Sequence, residues 1–214
     1  MNNFQYRIIS FFLIMTISFG LFAQNAKPLK DTVLFKNKLA EMTLKIKTIE
    51  SDFVQEKRID VLSEDITSNG HFCFKKENRI RWEYTTPTKY LIIINDTKIT
   101  VKDNKKESNF DAKSNKVFAE VNDMLSKSMR GDIMGIGNKY RLQYFEEEKF
   151  YLVKMTPTAK AMKEFLKEIH LYFDKTDYTV MKVKMLEPSG DYTFISFKNK
   201  KLNEPVADEK FSIK

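Results

Sequence analysis

The stretch Gly70–Pro87, GHFCFKKENRIRWEYTTP, constrains the fold more than any other part of the chain. Phe72 and Phe74 share one face of a first predicted strand; Ile80, Trp82 and Tyr84 share one face of a second, across a charged turn. The intervening His71, Cys73, Arg79, Arg81 and Glu83 are mostly polar, so the pattern alternates with a period of two, as a half-buried strand pair requires. A sheet with so aromatic a face must be covered by something apolar, either its own core or a bound molecule.

The first residues are set aside before the fold is read. Met1–Arg7 carries one positive charge, Ile8–Phe22 is almost unbroken apolar sequence, and the small residue Ala23 follows. This is the pattern of a secretory signal peptide over residues 1–23, leaving one mature, soluble domain over 24–214. The apolar stretch is shorter than the roughly 20 residues of a spanning helix and contains Ser10, Thr16 and Ser18. No cysteine lies near the cut, so a lipid-modified N-terminus is not expected.

Cys73 is the only cysteine, which excludes an intrachain disulfide and thiolate metal clusters. The net charge of +8 favours acidic partners such as lipid headgroups or acidic proteins, whereas nucleic acid is a poor partner for an exported chain.

Asp31–Lys47 reads as a helix with Asp31 or Thr32 as N-cap and an apolar stripe of Phe35, Leu39, Met42 and Ile46. From Thr48 the period changes to that of a strand, although a helix continuing through Phe53 also fits the apolar spacing. Strands are predicted over Ile66–Lys76, Arg79–Thr85, Lys89–Asn95 (apolar on both faces), Lys98–Lys102 and Glu107–Phe110. A second amphipathic helix is predicted over Lys116–Met129, with Val117, Val121, Met124, Leu125 and Met129 at helical spacing, followed by a loop carrying Gly131, Gly135 and Gly137. Further strands follow over Tyr140–Glu146, Phe150–Met155, Leu166–Asp174, Thr179–Leu186 and Tyr192–Phe197, with Thr158–Phe165 a short helix or a loop. Helices and strands do not alternate regularly, so the fold class is α+β, one antiparallel sheet with helices segregated against it. If that sheet curls into an incomplete barrel, the helices form a lid and the space beneath is an apolar cavity.

No catalytic or metal constellation accompanies this pattern. His71 and His170 stand alone at alternating strand positions, without HExxH spacing. Glu146-Glu147-Glu148 suits a hairpin tip in water, the glycines after Arg130 match no phosphate-binding loop, and no serine lies in a GxSxG elbow. The expectation is a non-enzyme without metal or cofactor.

The segments Asp52-Phe53-Val54-Gln55, Gly70–Lys76 and Arg79–Tyr84, closed by Pro87, resemble the LolA family of periplasmic carriers of outer-membrane lipoproteins. Leu186–Asp191, with Phe194, Phe197 and Asn203-Glu204-Pro205, is similar to the family's closing hairpin, so the likeness runs through essentially the whole mature chain. The resemblance implies an unclosed antiparallel β half-barrel with an α-helical lid over a hydrophobic cavity. It implies acylated lipoproteins as cargo, an inner-membrane ABC transporter of the Lol type as donor, an outer-membrane acceptor, a periplasmic location and a monomeric carrier. Cavity-lining residues are expected to be Phe53, Phe72, Phe74, Ile80, Trp82, Tyr84, Leu91 and Ile93, and lid or gate residues Lys76, Met124, Leu125 and Met129. Trp82 matches the family's aromatic after the strand turn. Lys76 aligns with a characteristic arginine that bonds lid backbone, and Glu77 replaces a proline often found beside it. Lysine lacks arginine's planar five-donor fork, so Lys76 reads either as a latch or as a solvated turn lysine.

Three other readings stand beside the carrier. A related periplasmic lipid or lipoprotein binder, either an RseB-like sensor or a carrier of another hydrophobic product, would share the fold. An RseB-like protein has an added C-terminal domain, for which the sequence up to Lys214 leaves no room. An adaptor that packs its aromatics as ordinary core comes next, and a lipid hydrolase has least support.

Overall fold

In the computed structural model, which describes residues 26–96, 98–103, 107–111, 127 and 137–213, twelve strands pair antiparallel into one sheet. They are β1 (Lys27–Pro28), β2 (Thr48–Ile59), β3 (Glu64–Lys75), β4 (Arg79–Thr86), β5 (Tyr90–Asn95), β6 (Lys98–Asp103) and β7 (Glu107–Asp111). After these come β8 (Tyr140–Glu146), β9 (Phe150–Pro157), β10 (Glu168–Asp174), β11 (Val180–Leu186) and β12 (Tyr192–Leu202). Two meanders, β2 to β7 and β8 to β12, are joined where β12 pairs with β2, and the sheet remains unclosed between β1 and β7. The result is the expected α+β half-barrel.

The strand boundaries follow the predicted pattern closely, and Thr48 does begin a strand. Between Thr158 and Phe165 the helical alternative is realised only as a short helix, α2 (Lys160–Lys163). Leu166 is drawn into its end, its N–H donating to the Met162 carbonyl at 2.9 Å, so β10 starts at Glu168 rather than Leu166. The expected signal peptide and the predicted helix Lys116–Met129, with Met124, Leu125 and Met129, lie outside the described residues.

Helix α1 (Thr32–Leu44) is capped by Asp31, whose carboxylate accepts from the Leu34 N–H at 2.8 Å. It lies on the inner face of the sheet. Phe35 packs among the rings of Tyr144, Tyr151, Phe173 and Tyr178, with centroids 4.8–6.1 Å away. Burying one such phenyl ring contributes about 1.5–3 kcal/mol. Thr43, one turn beyond Leu39, is also buried because its hydroxyl donates to the Leu39 carbonyl at 2.6 Å.

The outer face of β3 to β5 carries a feature absent from the sequence reading. A 3-10 helix over Asp208–Phe211 folds back onto it, burying Phe211 and Val206 against Cys73 and Ile93. Asp208 pairs with Lys75 and, at 2.8 Å, with Arg79; Asn95 donates to the Phe211 carbonyl at 2.8 Å.

Candidate functional site

Pairing of β2, β3 and β4 places Phe53 opposite Gly70, and Phe72 opposite Trp82. Only glycine fits at position 70: a Cβ there would fall onto the Glu83 carbonyl oxygen and within 2.6 Å of the Phe53 ring. The register shift between Asn69 and Gly70 accompanies this close approach.

The resulting aromatic cluster is contiguous. Trp82 lies with ring centroids 5.1 Å from both Phe53 and Phe72 and 5.9 Å from Phe197, while Phe72 and Phe197 are 5.4 Å apart. Tyr84 closes one end at 5.0 Å from Phe53, its hydroxyl donating to the Gln55 side-chain oxygen at 2.9 Å. Burial pushes the Tyr84 phenol up to about 12. Phe74 and Ile80 pair across β3 and β4 and belong to the same buried inner-face cluster.

Leu91 and Ile93 are a correction. Register aligns Trp82 with Ile92 and Ile80 with Ile94, so Ile92 and Ile94 share the aromatic face. Leu91 and Ile93, one residue out of phase, point to the opposite side. Ile93 packs with Cys73, Val206 and Phe211, and Leu91 borders a hollow of about 1040 Å³ beside the C-terminal segment. Its lining includes three polar pairs: Arg81 with Glu83 at 2.9 Å, Lys210 with Glu50, and His71 with Asp52 at 2.7 Å. Because β5 is apolar on both faces, its own alternation carries no phase by which to choose.

The inner face also holds a narrow apolar cavity of about 30 Å³, bordered by Ile46, Ile49, Phe72, Leu171, Val183 and Phe197. Its polar edge comes from Thr43, Ser51, Thr179 and Lys200, none of which the sequence reading singled out. Lys200 enters through a bulge. Lys198 pairs with Asp52 and Lys201 with Glu50, so two residues of β12 stand opposite Ser51. Asn199 takes up the left-handed conformation (φ 52°) and bonds outward to Asp52 at 2.8 Å. The extra residue reverses the alternation and turns Lys200 inward. There its ammonium donates to Thr179 Oγ1 and pairs with Asp177 at 2.6 Å. Burial would raise the Asp177 carboxyl, but bonds from Lys200 and Thr179 outweigh it and hold the group below its ordinary value.

Lys76 sits at the rim, where the β3–β4 turn meets the end of α1. Its ammonium donates to the Leu44 carbonyl at 2.6 Å and its backbone N–H to the Lys47 carbonyl at 2.9 Å. Asn203 and Glu204 fasten the same corner: Asn203 Oδ1 accepts from the Lys47 N–H at 2.6 Å and the Glu204 carbonyl from the Thr48 hydroxyl at 2.7 Å.

Among the described residues no group of three or more His, Cys, Asp or Glu is placed to hold a metal ion, and no helix is long and apolar enough to cross a membrane. What the arrangement offers chemically is apolar surface with a small polar edge.

A family model described as outer membrane lipoprotein carrier protein LolA matches residues 44–214. No curated protein matches the chain. Among solved structures, an uncharacterized conserved protein from Thermus thermophilus superposes with a TM-score of 0.51 at 9% identity, over 85% of this chain and 93% of that one. A LolA superfamily protein from Nitrosomonas europaea gives 0.44 at 11% identity, over 84% and 96%. The Mycobacterium tuberculosis lipoprotein LppX gives 0.45 at 13%, over 81% and 96%.

Proposed function

The chain belongs to the LolA family of outer membrane lipoprotein carrier proteins, and on that premise we propose that it carries the acyl chains of lipoproteins across the periplasm. The mature domain begins near residue 24, takes cargo released by an inner-membrane ABC transporter and passes it to an outer-membrane acceptor. The observation that carries this reading is the contiguous inner-face cluster of Phe53, Phe72, Trp82, Tyr84 and Phe197 on an unclosed sheet.

The physics is transfer of apolar area. Each methylene removed from water is worth roughly 0.8 kcal/mol, so an acyl chain gains strongly by entering and leaves only for a partner that offers it as much. In the described conformation the space by Phe72 and Phe197 is narrow, about 30 Å³. Loading therefore requires the rings or α1 to move, and a partner that favours the opened state biases uptake or release. Lys76, bonded to the last carbonyl of α1, holds the closed arrangement at its rim.

Purification from periplasm, native mass spectrometry and lipid extraction test the reading. A bound acylated lipoprotein supports it. Repeated recovery of empty protein that takes up no fluorescent fatty acid refutes it, and a bound lipid of another kind makes the protein a carrier of another hydrophobic product.

A further inference from the structure

The polar edge of the inner cavity is unusual for a space meant only for hydrocarbon. Ser51 is 7% exposed, and among the described residues its hydroxyl has no hydrogen-bond partner, although an unpaired buried hydroxyl is costly. Beside it, across the bulge, stands Lys200. Its ammonium has three N–H donors; among the described residues two are used, by Asp177 and Thr179. Two donors, one O–H and one N⁺–H, thus border the same apolar space, next to Phe72 and Phe197.

We propose that Ser51 and Lys200 form the oxygen-binding end of the cavity and hold the carbonyl oxygen of an esterified or amide-linked acyl chain. This deepens, and rests on, the carrier reading above. Charge selects the acceptor. Asp177 already balances the Lys200 ammonium, so the corner offers hydrogen-bond donors without net positive charge. A neutral carbonyl satisfies them, whereas a free carboxylate adds an uncompensated charge to a partly buried site. The volume of about 30 Å³ suits a group the size of a water molecule or a carbonyl. The hydrocarbon then extends from that point over the aromatic cluster as the rings separate. The bulge at Asn199 is what makes this possible, because regular alternation would put Lys200 on the outer face.

The test compares two lipids that differ in their carbonyls: dioctanoylglycerol and its dioctyl ether analogue, with sodium octanoate as a third probe. Trp82, the only tryptophan, touches Phe72 and Phe197 and reports binding by fluorescence. The purified protein is expected to bind the ester about tenfold more tightly than the ether, the worth of one good hydrogen bond to a charged donor. Ser51→Ala removes a hydroxyl that no described residue bonds, so folding is not endangered. It should shrink the ester-to-ether ratio several-fold, and Lys200→Met combined with Asp177→Asn should bring it near one. Equal affinity of the unmodified protein for ester and ether, a ratio that survives both variants, or tighter binding of octanoate than of the ester would each overturn the assignment while leaving the carrier reading intact. Failure of every probe to bind would overturn the carrier reading, and this inference with it.

Discussion

The Lys76 ammonium donates to the Leu44 carbonyl at 2.6 Å, tying the β3–β4 turn to the last residue of α1. A cation at a helix C-terminus meets both an orphan carbonyl and the negative end of the helix dipole. Both partners are exposed, so the bond is worth about 0.3–1 kcal/mol in stability. Its expected effect is on opening. Lys76→Met should lower the denaturation midpoint only slightly, while stopped-flow fluorescence of Trp82 should show faster uptake of an acyl probe. Lys76→Arg, which retains donors, should behave like the unmodified protein. Unchanged uptake by Lys76→Met would show that this bond does not gate the inner face.

Ile80 is 1% exposed and packs between Phe74 and Ile94 on neighbouring strands. Ile80→Glu places a carboxylate in apolar surroundings and should abolish uptake of an acyl probe. Ile80→Ala keeps the site apolar and should cost about 2–5 kcal/mol in urea unfolding while retaining uptake. Circular dichroism separates a lost site from a lost fold. Normal uptake by a folded Ile80→Glu would show that cargo does not contact this part of the sheet.

Gly70→Ala tests how tightly the same hairpin is closed. The added methyl meets the Glu83 carbonyl, which is backbone and cannot swing aside, and the Phe53 ring. Overpacking of this kind should cost about 3 kcal/mol or more, read as a shift of the urea midpoint at constant slope.

Why these positions were legible is physical. The aromatic face of Gly70–Pro87 was visible because period-two alternation is strict there, and the pairings Phe72 with Trp82 and Phe74 with Ile80 follow from a short turn between two strands. Leu91 and Ile93 lie on the side opposite to the expected one because β5 has Leu91, Ile92, Ile93 and Ile94 in succession, leaving phase to the partner strand. Lys200 was missed for a different reason. A bulge at Asn199 reverses the inward and outward positions, and period counting has no term for an extra residue. The return of Asp208–Phe211 to the outer face rests on burial of Val206 and Phe211 against Cys73 and Ile93, with ion pairs to Lys75 and Arg79, all more than a hundred residues earlier, which no local pattern records.

That returning segment gives a reporter on the outer face. Cys73 is buried beneath Val206 and Phe211, and burial pushes its thiol up to about 11. A thiol reagent at neutral pH should therefore react very slowly with the folded protein. Phe211→Ala removes the ring that covers it and should cost about 3–5 kcal/mol. The variant should label faster by the same factor by which its segment opens. Equal labelling rates would show that the segment does not protect Cys73.

Stability should fall with acid in two stages. Burial favours the neutral imidazole of His170, lowering its proton affinity below the ordinary 6.5; the Glu168 carboxylate opposes this, and Lys154 and Lys184 add to it. The unfolded chain thus binds a proton near 6.5 that the folded chain does not yet accept, and stability declines as pH drops through that value. Asp177, held below 3.8 by Lys200 and Thr179 against its burial, contributes stability that is present above 3.8 and is lost as pH falls through its folded value. Urea unfolding at stepped pH checks both. His170→Asn should flatten the slope just below pH 6.5, and Asp177→Asn the slope below pH 3.8. An Asp177→Asn profile parallel to the original below pH 3.8 would mean that the Asp177–Lys200 pair contributes no acid sensitivity.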